Sequence, residues 1–188
     1  NRGGGNLTTI EVFSMNHNWE KLFNGRNLEG WQVKCQEKDK NKVFWKTEED
    51  AVYCYSLESS DHGYVWLTTE KEYQDFELRL KFRVSRANKG NSGVQVRSRY
   101  DEKALVDGEG GELGWLDGPQ VDIDPNNPWR NGLIYDETRT AKHWIYPLLP
   151  DWRIDKDMHA PKKVIFYWED GETAWNDLRI ICKGKTIR

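Results

Sequence analysis

The chain has 188 residues, and its 28 Lys and Arg against 31 Asp and Glu give a formal net charge of −3. That balance excludes the strongly basic character of a nucleic-acid binder, and no apolar run approaches the ~18 residues that a membrane helix needs. Ten Trp, eight Tyr and six Phe suit either a β-rich core or a surface that stacks on flat ligands such as sugar rings.

In chain order, residues 1–16 are rich in Gly, Asn and Thr and read as a leader or edge segment, and residues 17–188 read as one domain. From Trp19 onward, turn signals separate runs of strand length, beginning with Val43–Tyr55 and Tyr64–Thr68. Phe76–Val84 reads F-E-L-R-L-K-F-R-V, in which every second residue is apolar and Glu77, Arg79, Lys81 and Arg83 fall between. That period of two marks a half-buried antiparallel strand. Further strand-like runs are Ser92–Ser98, Gln120–Asp124, Leu133–Tyr135 and Leu178–Cys182. No stretch sustains a period of 3.6 residues, so helices are expected to be few and short. The pattern predicts an all-β sandwich or jelly roll without internal repeats.

Cys35, Cys54 and Cys182 show no C-x-x-C spacing and read as free thiols rather than as a zinc site or a disulfide framework. Two regions break the strand pattern. Residues 99–118 hold Gly108, Gly110, Gly111, Gly114 and Gly118, and residues 124–162 hold five of the six prolines. Long structured loops of this kind often build a site.

Alternation sets Val94, Val96, Val121 and Ile123 toward the core, which leaves Gln95, Arg97, Gln120, Asp122 and Asp124 on the opposite face. Amides, carboxylates and a guanidinium match vicinal hydroxyls, so this face reads as the floor of a sugar site. The plain alternative is a solvated sheet face with one Arg–Asp pair. Asp122-x-Asp124-x-Asn126 imitates the start of a calcium loop, yet Asn127 and Leu133 stand where an EF-hand needs Gly and Glu. A divalent metal of another kind is left open, and no cofactor is certain. His17, His62, His143 and His159 show no metal-ligand spacing, and His143, in the aromatic loop, is the one kept as a functional candidate. The G-x-S-x-G and P-loop motifs are absent.

Several blocks carry a family resemblance. Leu22-Phe23-Asn24-Gly25-Arg26-Asn27-Leu28-Glu29-Gly30-Trp31 resembles the opening of the 3-keto-disaccharide hydrolase domain family. The later blocks Tyr73–Arg83, Asn91–Arg97, Gly118–Pro125, Gly132–Glu137 and Trp175–Ile180 resemble it in the same order, from about Trp19 to the end. The resemblance implies a concanavalin A-like jelly-roll β-sandwich of two antiparallel sheets. Family members continue after the Trp-Asn-Asp strand into a further hairpin, so the chain is expected to lack C-terminal strands.

The resemblance further implies a glycoside-cleaving enzyme acting on sugars oxidised at C3, by base-assisted elimination and hydration. Asp122, Asp124 and Arg97 become the candidate catalytic residues, with base and acid unassigned. Gln95, Gln120, Trp115, Tyr135, Glu137, Arg139, His143 and Trp144 become candidate substrate-binding residues, the aromatic ones as stacking walls. The implied partner is a small oxidised carbohydrate, with no nucleic acid and no membrane span, and the implied location is secreted or periplasmic. Retaining β-glucanases of this fold type use E-x-D-x-x-E, where this chain has Gln120-x-Asp122-x-Asp124-Pro125, so double-displacement chemistry is disfavoured. A non-catalytic carbohydrate-binding module of the same fold remains the alternative.

Overall fold

The computed structural model describes residues 5–14, 18–55, 61–85, 91–105, 113–124, 130–147, 167–168 and 175–188. The strands that open the chain are β1 (Gly5–Ser14), β2 (Asn18–Lys21), β3 (Trp31–Cys35), β4 (Trp45–Glu48), β5 (Ala51–Cys54), β6 (Val65–Thr69) and β7 (Phe76–Ser85). They are followed by β8 (Ser92–Gln95), β9 (Arg99–Leu105), β10 (Leu113–Asp117), β11 (Pro119–Ile123), β12 (Ile134–Asp136) and β13 (His143–Tyr146). The last three are β14 (Tyr167–Trp168), β15 (Asn176–Lys183) and β16 (Thr186–Ile187). A single 3₁₀ turn, Glu37–Asp39, is the one helical element among the described residues. None is long and apolar enough to cross a membrane. The chain is all-β with antiparallel sheets, as the alternation predicts. The described strands form four sheets rather than the expected two, and one short pairing, β14 with β7, is parallel.

Two compact units divide the chain. Asn1–Lys34, Asn41–Asn88 and Ile165–Arg188 form one, and Cys35–Lys40 with Lys89–Val164 form the other. The first holds an eight-stranded sheet in the order β16-β15-β7-β1-β5-β4, with β14 on β7 and β2 on β1. Here β7 does what its sequence predicts: Phe76, Leu78, Leu80 and Phe82 are buried while Arg79 is exposed. Opposite them on β15 lie Cys182, Ile180, Leu178 and Asn176. The expected leader or edge segment is different. Gly5–Ser14 is an internal strand, with β7 along one side and β5 and then β2 along the other. Its backbone groups therefore find partners on both sides, which an edge strand cannot do.

The run Val43–Tyr55 is a tight hairpin rather than one strand. Glu48 pairs with Ala51, and both intervening residues, Glu49 (φ 51°) and Asp50 (φ 56°), are left-handed. Two left-handed residues make the turn whose twist suits a two-residue hairpin. Glu49 also reaches Arg83 on β7, 3.1 Å away. Arg83, expected to point into solvent, is 4 % exposed and lies over the Trp175 ring at 4.6 Å. A guanidinium so placed depends on its carboxylate and on the ring face for what water would have supplied. Glu49→Gln should destabilise the chain by about 1–3 kcal/mol in urea unfolding, whereas Arg83→Met, which removes the buried charge but keeps the volume, should cost less. The reverse ranking would remove the ion pair from this account.

Candidate functional site

In the second unit, β8, β11, β12 and β13 form a four-stranded sheet in the order β13-β12-β11-β8. Cross-strand register decides which side chains share a face. Gln120 lies opposite Gln95 and Tyr135, Asp122 opposite Gly93, and Tyr135 opposite Trp144. One face therefore carries Gln95, Gln120, Asp122, Tyr135 and Trp144, and Glu137 follows just past the end of β12, where its charge acts on Asp122. Val94, Val121, Ile123 and Ile134 take the other. The alternation assigned these sides correctly. It erred on their exposure, since Asp122 is 3 % exposed and Asp124 is fully buried.

Burial governs the chemistry of Asp122. It pushes the carboxyl up from its ordinary 3.8 to about 7, with Glu137 adding to the rise, while the Gln120 hydrogen bond and the charge of Arg130 oppose it. The Gln120 side-chain amide donates to Asp122 Oδ1 at 2.9 Å. Glu137 is also raised, first by burial and then by Asp136, and Lys142 works against the rise. Unlike Asp122, Glu137 is only half-buried. Its backbone is pinned twice: its N–H donates to the Gly118 carbonyl at 3.0 Å, and its carbonyl accepts from Trp115 Nε1 at 2.8 Å. The Lys142 ammonium lies 5.0 Å from the centroid of the same Trp115 ring, on a left-handed backbone (φ 41°).

The remaining candidates take other positions. Trp115, expected as a stacking wall, is 1 % exposed and serves as a buried post beneath Glu137 and Lys142. Trp144 is buried too, edge-to-face against the half-buried Tyr135 at 5.0 Å, so Tyr135 is the better placed of the two for a ligand. The Gln95 amide donates to the Leu116 carbonyl at 2.8 Å. Asp124 lies beyond the end of β11, ion-paired with Arg130, and its carbonyl accepts from Arg130 N and Asn131 Nδ2. Asp124 therefore organises the turn into β12.

Arg97 is exposed just past β8 with φ 54°, and the charges acting on Asp122 come from Arg130 and Glu137. Arg139 forks onto Asp117, with its nearest nitrogen at 2.7 Å, and reaches Asp101 at 3.0 Å, beside a groove of about 520 Å³ on the β9–β10 hairpin. That hydrogen bonding holds the Asp117 carboxyl below its ordinary range. His143 pairs with Asp136 and therefore belongs to the opposite face from Tyr135. His17 and His159 lie outside the described residues.

Sequence reasoning missed Arg130, Asn131, Lys142 and the role of Gly93. Arg130 and Asn131 directly precede the Gly132–Glu137 block, which was the available signal. Among the described residues, no three His, Cys, Asp or Glu side chains are grouped to hold a metal ion. Within the Asp-x-Asp pair, an amide engages one carboxyl and a guanidinium the other.

The raised Asp122 carboxyl has a measurable consequence. Between its unfolded value near 3.8 and its folded value of about 7, the native state keeps a proton that the unfolded chain releases. Stability from this group is thus lost as pH rises across that window, by ~1.4 kcal/mol for each unit of difference. Asn cannot titrate and can still accept from Gln120. The stability of Asp122→Asn relative to wild type should therefore climb from pH 4 to pH 8, read from urea midpoints. A flat difference would mean that Asp122 titrates normally.

The two raised carboxyls belong to the Gly118–Pro125 and Gly132–Glu137 blocks, Asp122 on β11 and Glu137 just past β12, with Gly93 of the Asn91–Arg97 block opposite Asp122. No curated protein matches the chain. The family model described as 3-keto-alpha-glucoside-1,2-lyase-like domain matches residues 18–188, spanning every strand after β1. With that coverage, the chain belongs to the 3-keto-alpha-glucoside-1,2-lyase-like domain family.

Proposed function

We propose that the protein cleaves small glycosides carrying a ketone at C3, and that Glu137 and Asp122 handle the two proton transfers. A C3 ketone acidifies the hydrogen on C2. A base removes that proton, the electron pair forms an enolate, and its collapse expels the oxygen substituent at C1. Water then adds across the new double bond. The sequence of steps needs one ionised carboxyl, one protonated carboxyl and a positive group near the enolate oxygen.

The observation that carries this reading is that the charge of Glu137, just past β12, acts on Asp122 of the adjoining β11, and that both carboxyls are raised from their ordinary values. Near neutral pH, Asp122 at about 7 is divided between its protonated and ionised forms, which suits it to give a proton to the leaving oxygen. Glu137, half-buried and with Lys142 acting on it, is the more reachable group and is assigned the C2 proton. Lys142 replaces Arg97 as the cation proposed for the enolate oxygen. The family description supports elimination as the cleaving step. A secreted or periplasmic location belongs to the same proposal, on the strength of the carbohydrate substrate. The non-catalytic binding module is weakened because both amides expected to hold sugar hydroxyls, Gln95 and Gln120, are engaged within the protein.

Glu137→Gln and Asp122→Asn should each lower turnover of a 3-keto-glucoside by about 10²–10⁴-fold, measured as aglycone release. The two variants should differ in deuterium exchange at C2 of the substrate in D₂O, which Glu137→Gln abolishes and Asp122→Asn retains. Wild-type turnover of an unoxidised glycoside at a comparable rate would overturn the elimination mechanism.

A further inference from the structure

Residues two apart on a strand are separated by about 6.6–6.8 Å at Cα, and their side chains normally stand up from the sheet. The Gln120 amide nevertheless reaches Asp122 Oδ1 at 2.9 Å, so the side chain must lie down along its own strand. The space it lies in belongs to Gly93, which pairs with Asp122 on the adjoining β8. A Cβ on Gly93 would come 2.5 Å from Gln120 Cγ, 2.6 Å from Gln120 Cδ and 2.8 Å from the Val121 carbonyl oxygen. Contacts that close would force Gln120 or the β11 backbone to shift. Gly93 and Gln120 are therefore one device, a recess on one strand and an amide laid across it from the next.

We propose that Gln120 is a positioning residue for Asp122, with Gly93 as the recess that allows it, rather than a contact to the sugar. By donating to Oδ1, the amide restrains the carboxyl rotation and leaves Oδ2 as the oxygen that carries and exchanges the proton. The same bond favours the ionised form, so it also limits how far burial can raise this group. The inference rests on the function proposed above only in so far as Asp122 takes part in catalysis; the placement of the carboxyl stands without it.

The test uses Gln120→Met, which keeps the length and removes the donor, and Gly93→Ala, which keeps Gln120 but fills its recess. The Asp122 carboxyl is titrated by ¹³C NMR without substrate, and kcat and KM are measured on a 3-keto-glucoside across pH. Both variants should move the Asp122 midpoint upward from about 7, by roughly one pH unit. The pH–rate limb should move in the same direction, with kcat lowered about tenfold and KM little changed. An unmoved midpoint in Gln120→Met overturns the inference, as does a rise in KM with kcat unchanged, which would make Gln120 a sugar contact. A midpoint that moves while turnover stays at wild-type level supports the placement of Asp122 and overturns its catalytic role instead.

Discussion

A carboxyl group withdrawn from water costs several kcal/mol unless it is protonated or its lone pairs find donors, and Asp122 is 3 % exposed. Much of the second unit's geometry follows from meeting that demand on a central strand. β11 is hydrogen-bonded to β8 on one side and β12 on the other, so both neighbouring strands contribute to the surroundings of the carboxyl. The donor comes from Gln120 on the same strand, and the room for it from the missing side chain of Gly93 on the next. Arg130 supplies positive charge from the turn before β12, while Glu137 beyond β12 pulls the other way. The outcome is a group poised near neutrality rather than a neutralised one.

Around this centre the unit spends charged and aromatic side chains on holding backbone. Trp115 Nε1 grips the Glu137 carbonyl, and Arg139 ties its own loop to Asp117 and Asp101 on the β9–β10 hairpin. At Gly118, where β10 gives way to β11, the left-handed backbone (φ 145°) brings Ser98 against the space where a Cβ would stand. In the first unit, Trp31 Nε1 closes a loop onto the Leu22 carbonyl at 2.7 Å, and Arg79 lies 4.3 Å from the centroid of the Trp19 ring. The high aromatic content thus serves mainly packing, backbone anchoring and cation–π contact among the described residues. Tyr135 is the candidate ring left half-exposed on the site face.

The resemblance to the family begins in a segment whose work is local. Asn24 Oδ1 accepts from the N–H groups of Arg26 and Asn27, and Asn27 Oδ1 accepts from Glu29 N–H and from Asn24 Nδ2. Asn and Gly recur there because short amides cap turns and Gly25 (φ 80°) and Gly30 (φ 83°) adopt left-handed backbone. Such a block identifies the fold while saying nothing of the chemistry. The blocks that bear on the chemistry are those that β-pairing gathers: Asn91–Arg97, which contains β8, Gly118–Pro125, which contains β11, and Gly132–Glu137, which contains β12.

Period-two alternation is a local property, and it was enough to determine the all-β class, the strand Phe76–Val84, and the side of the sheet on which Gln95, Gln120 and Asp122 fall. It could not tell a hairpin from a strand across Glu49 and Asp50, because no Gly or Asn marks that left-handed pair. Nor could it show that residues 5–14 lie inside a sheet, since pairing partners come from distant segments. How deeply a polar face is buried depends on what register and neighbouring turns bring over it. Only the tertiary structure therefore decided that Asp122 is buried, that Asp124 belongs to a turn with Arg130, that His143 takes the opposite face, and that Arg130 and Glu137 rather than Arg97 are the neighbours whose charges Asp122 feels.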